Sequence, residues 1–470
     1  MKILGLEIKA IQKVPLPKGT ISQIPPSATG TMYNNPGTVT WMAGNALGQV
    51  KDGYSGNDIV YSIIRLIVDK VKLAPWAEYK IVDEKEFKKY AAIMKRPDLV
   101  KDWNKVEKIR TKALQQVKVG SKLTDLLIKP NEDDSWADLV EAYASFKLIT
   151  GNAYVYSKAI PMGRNMGKPL ELYVLPSQYM SIIADLSKFP ITPTGYQLYM
   201  QFTELFNKQE ILHDKYFNPN WNIVGNQLYG FSPLQAAARV LTRSNEGKKA
   251  AVANYQNGGP KGILFVSDDK HDPQFTVQEA MDLKKSLARN QGAENVNQVE
   301  TSGYKVDYVP LGLSPVDLDL LNAENLDLRA LCNIYQVPSQ LLNDPSNKTY
   351  NNTSEGEKAL TVRCALPMLS SIRDQFNRKF ATDWGKMDTI IDFDLSVYSE
   401  LEEDKKQQVD WLEKSYLPLR RRLEIMGEST EGYTDEQLNT IFVPSGVTTI
   451  DEAMNQAPIT IPQGLNDYAQ

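Results

Sequence analysis

The stretch from Ser232 to Pro338 narrows the possible folds more than any other. A loop, NPNWNIVGNQLYGFSPL (218–234), leads into a long helical pattern over about 234–256. Arg239, Arg243, Lys248 and Lys249 of that pattern are opposed only by Glu246, and GGP at 258–260 ends it. KGILFVS (261–267) and YKVDYVPL (304–311) read as strands, because β-branched and aromatic residues crowd both. Between them, Thr276 and Glu279 form a capping-box signature for a short helix running to Arg289. A second long helix starts near Pro315 and runs to about Tyr335, where Pro338 forbids continuation. It is acidic, with Asp317, Asp319, Glu324 and Asp327 against Arg329. At about 100° per residue, Asp317, Glu324 and Asp327 fall within roughly 80° of one another, and Leu321 and Leu328 share the sector.

The next run, NDPSNKTYNNTSEGEK (343–358), has no aliphatic side chain, and Tyr350 is its only aromatic. It reads as a polar loop over 343–354. Ser354 and Glu357 form a capping box for a third helix, which Pro367 should kink. The sequons NKT, NNT and NTS inside the loop are incidental to its Asn/Thr richness, since no secretory signal precedes them.

The first half is α+β, with helices first and a mostly antiparallel sheet after. Residues 1–56, rich in Pro, Gly, Thr and Asn, read as an extended arm. Asn57 is an N-cap, followed by apolar residues at 60, 63, 64, 67, 68 and 71 and a stop at Pro75. Residues 84–117 read as two charged helices around PDL (97–99). Ser135 caps WADLVEAYASFKLIT, which Gly151 ends. Four strand-like pieces follow at 153–160, 170–176, 179–185 and 196–202. Later, DTIIDFDL (388–395) reads as a strand, SELEEDKKQQVDWLEK and RRRLEIMG as charged helices, and 441–470 as a loosely held tail.

Composition removes several function classes. Net charge is −4 over 470 residues, so any grip on nucleic acid is loose or local. IVYSIIRLIVDKVKLA (59–74) carries Arg65, Asp69, Lys70 and Lys72, which a membrane span tolerates poorly. The chain reads as soluble and cytosolic when made. Cys332 and Cys364 are expected to be buried structural thiols, and His213 and His271 are far apart in sequence. GRNMGKP (163–169) is one residue short of a phosphate loop, and Pro169 stands where Ser or Thr would hold Mg²⁺. GFSPL and GLSP lack the second glycine of a nucleophile elbow. SDDKHD (267–272) and DFDLSVYSELEED (392–404) are the remaining carboxylate clusters. They support an alternative reading as a cytosolic α+β metal-dependent hydrolase. The main expectation is no catalysis, no cofactor and no metal.

Gly230, Ser232, Pro233 and Leu234 lead off one ordered series of short motifs. Asn257, Gly258, Pro260, Gly262, Ile263 and Leu264 follow, then Val337, Pro338, Leu341 and Leu342, then Tyr350, Asn351 and Glu355, then Pro367. This order and spacing resembles the portal proteins of tailed bacteriophages, the group common among long-tailed phages. The likeness covers about 205–430 well. FDLSVYSELEEDKKQQVDWLEKSYLPLRRRLEIMGE is similar to the family's strand and two C-terminal helices, although LPLRRRLEIMG departs from the usual form.

The resemblance implies a portal-like α+β protomer. Residues 1–56 would be an arm and 57–230 a wing. Stem helices would span 231–257 and 314–335, flanking a small α/β clip at 258–313. The wing would resume over 336–398, with a tunnel loop at 343–354 and a long kinked helix. A helical crown and tail would fill 399–470. It further implies a homo-oligomeric ring of twelve at one capsid vertex of the virion, assembled in the host bacterial cytoplasm, with no membrane partner. Double-stranded DNA would pass through it without sequence recognition. The terminase large subunit, then a head-tail adaptor, would dock on it, with the major capsid protein and scaffold as further partners. Asn347, Lys348, Thr349, Tyr350, Asn351 and Asn352 would face the DNA. Asp317, Glu324 and Asp327 would line the stem channel, and Lys284, Lys285 and Arg289 would meet a docking partner on the clip.

Overall fold

A computed structural model describes residues 2–3, 6–7, 20–21, 45–257, 262–266, 278, 281–282, 285, 306–310, 320–342, 344, 350–381, 389–401, 417–426 and 434–439, apart from 98–99, 101–102, 118–121, 161, 163–165, 187–188 and 223–224. Helices and sheets are mixed, and every described strand pairing is antiparallel. Two compact units divide the chain: residues 1–101 with 105–400, and residues 102–104 with 401–470.

The centre of the larger unit is a pair of helices, α1 (Asp58–Lys72) and α5 (Trp136–Thr150). Asn57 caps α1 through its side chain, and the expected apolar stripe from Val60 to Val71 is buried. Ser135 and Asp138 close a capping box on α5, and Gly151 ends it in the left-handed conformation at φ 76°. Unlike α1, α5 is buried on most of its faces, with Tyr143, Lys147 and Thr150 as well as its aliphatic residues inside. Between them run the shorter helices α2 (Glu84–Ile93), α3 (Trp103–Ala113) and α4 (Lys122–Ile128).

The described strands form five sheets. A short ribbon joins β1 (Lys2–Ile3) to β2 (Leu6–Glu7), and β3 (Thr20–Ile21) belongs to a larger sheet. That sheet has the order β10–β9–β8–β3, from β8 (Met180–Ala184), β9 (Pro193–Tyr199) and β10 (Thr203–Asn207). A three-stranded sheet has the order β11–β6–β7, from β6 (Asn152–Ala159), β7 (Pro169–Leu175) and β11 (Ile211–Lys215). Tyr154, Leu175, Met180, Ile182, Tyr196, Phe206 and Ile211 form the buried cluster these two sheets share. β4 (Trp76–Ile81), β5 (Leu114–Gln116) and β14 (Thr389–Phe393) form another sheet in the order β14–β4–β5, so the late strand returns to the earliest helices. β12 (Gly262–Val266) and β13 (Val306–Pro310) pair with Gly262 opposite Pro310.

Several expectations change. Residues 46–54 are not extended: Asn45 caps a helical turn that runs into a π turn at Gln49–Tyr54, with Gln49 buried. The helix after Ser232 starts as α6 (Pro233–Ala236), breaks at Ala237 and resumes as α7 (Ala238–Asn257). The following long helix is described as α8 (Leu320–Tyr335). The next begins at Tyr350, four residues before the Ser354 capping signature. It runs as α9 (Tyr350–Leu360), a π turn at Thr361–Ala365, α10 (Leu366–Phe376) and a second π turn at Asn377–Ala381. Pro367 lies in the first turn of α10, directly after the π turn, where its missing N–H disturbs the ladder least. The expected helix at 276–289 and the tail at 441–470 lie largely or wholly outside the described residues. In the smaller unit, α11 (Leu419–Met426) and α12 (Asp435–Asn439) are joined by Arg420 and Asp435, with Leu423 and Leu438 buried.

Candidate functional site

The two long helices α7 and α8 are tied by charge. Arg243 of α7 donates to Asp327 of α8 through both Nε, at 2.8 Å, and Nη2. The Asp327 side chain is only 3% exposed while Arg243 is 57% exposed. Asp327, which the resemblance would have lining a channel, is the buried half of an ion pair. Glu324 does face out, 3.6 Å from Lys248, which also reaches Asp58 at the start of α1. Asp317 lies outside the described residues.

Both helices rest on the last turn of α5. Ser232 Oγ donates to the Ile149 carbonyl at 2.5 Å and accepts from the Leu234 N–H, so one hydroxyl caps α6 and anchors it. At the far end of α8, the Tyr335 hydroxyl donates to the Leu148 carbonyl at 3.2 Å. Gln336 then takes φ 59°, and the Val337 N–H returns to the Cys332 carbonyl. That left-handed step ends the helix before Pro338. Cys364, in the first π turn, donates to the Tyr335 carbonyl. Burial pushes the Cys332 and Cys364 thiols up to about 12, so both are inert protonated packing groups.

The polar run after α8 is pinned at its start. Asp344 is almost fully buried and accepts from Arg329 Nε and Nη2, both at 2.8 Å, and from Ser339 Oγ at 2.9 Å. Tyr350, Asn351 and Asn352 belong to the first turn of α9 and not to a loop. Asn347, Lys348 and Thr349 lie outside the described residues, as do Lys284 and Arg289. Lys285 is helical and exposed, 3.9 Å from Asp282. Arg243, Arg329, Asp344 and Tyr335 escaped the sequence reading as anchors, because their partners are set by tertiary contacts.

The long helix is fastened to the body by three polar clusters. Lys70 of α1 bridges Glu357 at 2.8 Å and Glu400 at 2.9 Å, and Thr361 donates to Glu400 at 2.5 Å. Asp214 accepts from Tyr143 (2.5 Å), Lys147 and Ser371 of α10. Asp392 accepts from Tyr90 at 3.0 Å, with Arg110 at 3.7 Å and Arg373 at 3.6 Å. Burial raises the Asp392 carboxyl, against the opposing pull of Arg373 and Arg110. Asp392, Asp394 and Glu400 of the 392–404 cluster are thus each met by a cation. Among the described residues, no three His, Cys, Asp or Glu side chains gather as metal ligands, and 268–272 lies outside them. No described helix is long and apolar enough to cross a membrane.

Known proteins share this architecture. A protein of Rickettsia bellii described as uncharacterized is 25% identical over 363 residues, covering 76% of this chain and 82% of its own. Among solved structures, a chain from the neck of an empty GTA (gene transfer agent) particle superposes with a TM-score of 0.54 at 20% identity, covering 85% of this chain and 97% of that one. A chain from the neck of the native GTA particle, of C12 symmetry, gives 0.51 at 20% identity, covering 84% and 96%. These likenesses show a common fold. The family model described as "Phage portal protein" matches residues 104–416, about two thirds of the sequence, and the chain belongs to that family.

Proposed function

We propose that this chain is the portal subunit of a DNA-containing particle: a ring-forming, non-catalytic conduit at one capsid vertex. The observation that carries the reading is the portal-family match over residues 104–416. Neighbours in fold come from particle necks solved with C6 and C12 symmetry and from a virion, which supports a homo-oligomeric ring of twelve in a capsid. On this reading α7 and α8 are the stem around the channel, residues 258–313 the clip, and 345–349 the core of the tunnel loop. Double-stranded DNA enters and leaves through the ring. Lys284, Lys285 and Arg289 meet the terminase large subunit and later the head-tail adaptor. Major capsid protein and scaffold contact the wing.

The charge pattern suits a conduit. Each lysine facing the channel would be repeated around the ring, and every phosphate contact adds affinity. Pairing Arg243 with Asp327 and Lys248 with Asp58 and Glu324 reduces the pull of the basic helix on phosphates. On this reading Glu324, half exposed beside Lys248, faces the channel, and Asp317 is assigned there with it. Asn and Thr of the loop offer exchangeable hydrogen bonds with little net charge.

Native mass measurement with negative-stain imaging of the full-length chain tests this. The expected result is a ring of about twelve subunits with a central hole, outside the usual small closed symmetries. A chain that stays monomeric or dimeric at all concentrations, and gains thermal stability from a divalent ion, would favour the hydrolase instead.

A further inference from the structure

From Tyr216 to Ala238 there is no Asp, Glu, Lys or Arg, in a chain that is 23% charged. Two aromatics of this run stand in solvent, Phe217 at 80% exposure and Trp221 at 64%. The described residues of their loop are tied down. Asn218 Oδ1 accepts from the Asn220 N–H at 3.0 Å, Asn218 Nδ2 donates to the Asn226 carbonyl at 3.0 Å, and Asn222 Oδ1 accepts from the Asn226 N–H at 2.9 Å. Lys215 Nζ closes the base on the carbonyls of Gln227 and Leu228. Such a loop offers two large rings with little left to order on binding, as interface anchors do.

A second patch lies on the β9–β10 hairpin. Tyr199, Met200, Phe202 and Leu205 are between 38% and 58% exposed, and Glu204 is the only charge from Gly195 to Asn207. Among the described strands β10 pairs with β9 alone, so it is a sheet edge. Edges that face water are normally guarded by lysine, proline or a bulge. This hairpin has one charge, Glu204, and otherwise exposes Tyr199, Met200, Phe202 and Leu205.

We propose that these patches are the two halves of one contact between copies of this chain: Phe217 and Trp221 of one subunit seat on the 199–205 hairpin of the next. The inference rests on the ring reading above and names its interface. Identical subunits that close a ring meet head to tail, so each must bring two different surfaces that fit each other. Both patches are apolar, aromatic and nearly free of charge, the composition found at the buried middle of protein contacts. A polyanion would find no cation on either patch.

Trp221→Asp and Phe202→Asp, made in separate full-length chains, test the pairing. Circular dichroism checks the fold, and analytical ultracentrifugation reads assembly. Alone, each variant is expected to stay monomeric at concentrations where the wild-type chain forms rings. Mixed, they should give dimers and nothing larger, because one intact loop meets one intact hairpin and the other junctions are blocked. Rings from either variant alone, or no dimer from two folded variants, would overturn the pairing. Should aspartate disturb folding, Trp221→Ser and Phe202→Ser are expected to raise the half-assembly concentration by roughly tenfold or more; an unchanged value sinks the proposal. Normal rings that lose binding to another virion protein would reassign the patches to that partner and overturn the pairing too. A wild-type chain that never assembles counts against the ring reading itself, whereas wild-type rings with indifferent variants count against this interface only.

Discussion

A Cβ added to Gly230 would stand 1.9 Å from the carbonyl oxygen of Gly151. The two glycines are where the chain entering the long helices crosses the end of α5. Gly230 N–H donates to Asn152 Oδ1 at 2.6 Å, and the Tyr216 N–H takes the Gly151 carbonyl at 2.9 Å. The three atoms nearest that hypothetical Cβ are backbone, so none of them can rotate away. Gly230→Ala is expected to cost about 3 kcal/mol, the upper end for overpacking. Gly247, in mid-helix with nothing within 4 Å of an added methyl, is the control. Gly247→Ala should stabilise by about 0.5–1 kcal/mol. Urea midpoints of the two variants, measured on the same oligomeric species, check the contrast.

Arg243 and Asp327 should respond unequally to deletion. Removing the arginine strands a carboxylate that is almost fully buried, whereas removing the acid frees a guanidinium already more than half in solvent. Arg243→Met is expected to cost about 3 kcal/mol. Asp327→Asn should cost nearer 1 kcal/mol. Equal losses in chemical denaturation, or a larger loss for Asp327→Asn, would show that the pair does not hold α7 to α8 as described.

Local signals in the sequence carried a long way. Asn57, Ser135 and Gly151 all act as helix boundaries because a cap needs only neighbours three or four residues off. Signals that depend on distant partners did not. β10 and β11 are short and gain their place only by pairing with β9 and β6, so nothing in TELFN or ILHDK announces them. The Ser354–Glu357 capping signature misplaced the start of α9, since Glu357 is held by Lys70 from the other end of the sequence. Gly356 packs so closely on Gln340 and Leu341 that a Cβ would meet the Gln340 side chain at 2.9 Å, a tertiary contact the sequence does not announce. Asp327 was legible as an acid on a helix, but whether it lay open or under an arginine was decided 84 residues away. The expected tunnel loop shrinks for the same reason: Asp344 is an anchor and Tyr350 is helical.

Glu400 gives the fold an acid-side weakness. Burial alone would raise its carboxyl, but hydrogen bonds from Thr361 and Lys70 outweigh it and hold the group below its ordinary value. A carboxyl depressed in the folded state adds stability that is complete above its unfolded value, near 4.3, and is lost as pH falls through the folded value. Asp392, raised by burial, works in the opposite direction and weakens the fold as pH rises past about 4. The difference between wild type and Glu400→Gln isolates the first effect. The variant should be less stable at pH 7 by about 1.5–3 kcal/mol, as for other hydrogen bonds to a charged group. Thermal melts from pH 7 down to 3 should show that gap closing below about pH 4; a constant gap across the range would mean that the Glu400 charge does not support the long helix.

The segment 345–349 separates two fixed points, Asp344 under Arg329 and the first turn of α9 at Tyr350. Replacing it with a glycine-serine linker of the same length keeps both anchors and removes Asn347, Lys348 and Thr349. If these residues touch moving DNA, rings should assemble at the wild-type number and stability, because no anchor is altered, while DNA packaging or retention falls. Packaging in a reconstituted head measured against ring assembly by native mass separates the two. Wild-type packaging by the replaced chain would remove 345–349 from the DNA path. A loss of rings would assign the segment to subunit contacts. Adding Asp344→Asn to the wild-type loop distinguishes anchoring from contact: it keeps every loop residue but loosens the base, since the ion pair from Arg329 to position 344 loses its negative charge. With the Arg329–Asp344 ion pair weakened, that variant should lower thermal stability as well as packaging, whereas the linker chain should lower packaging alone.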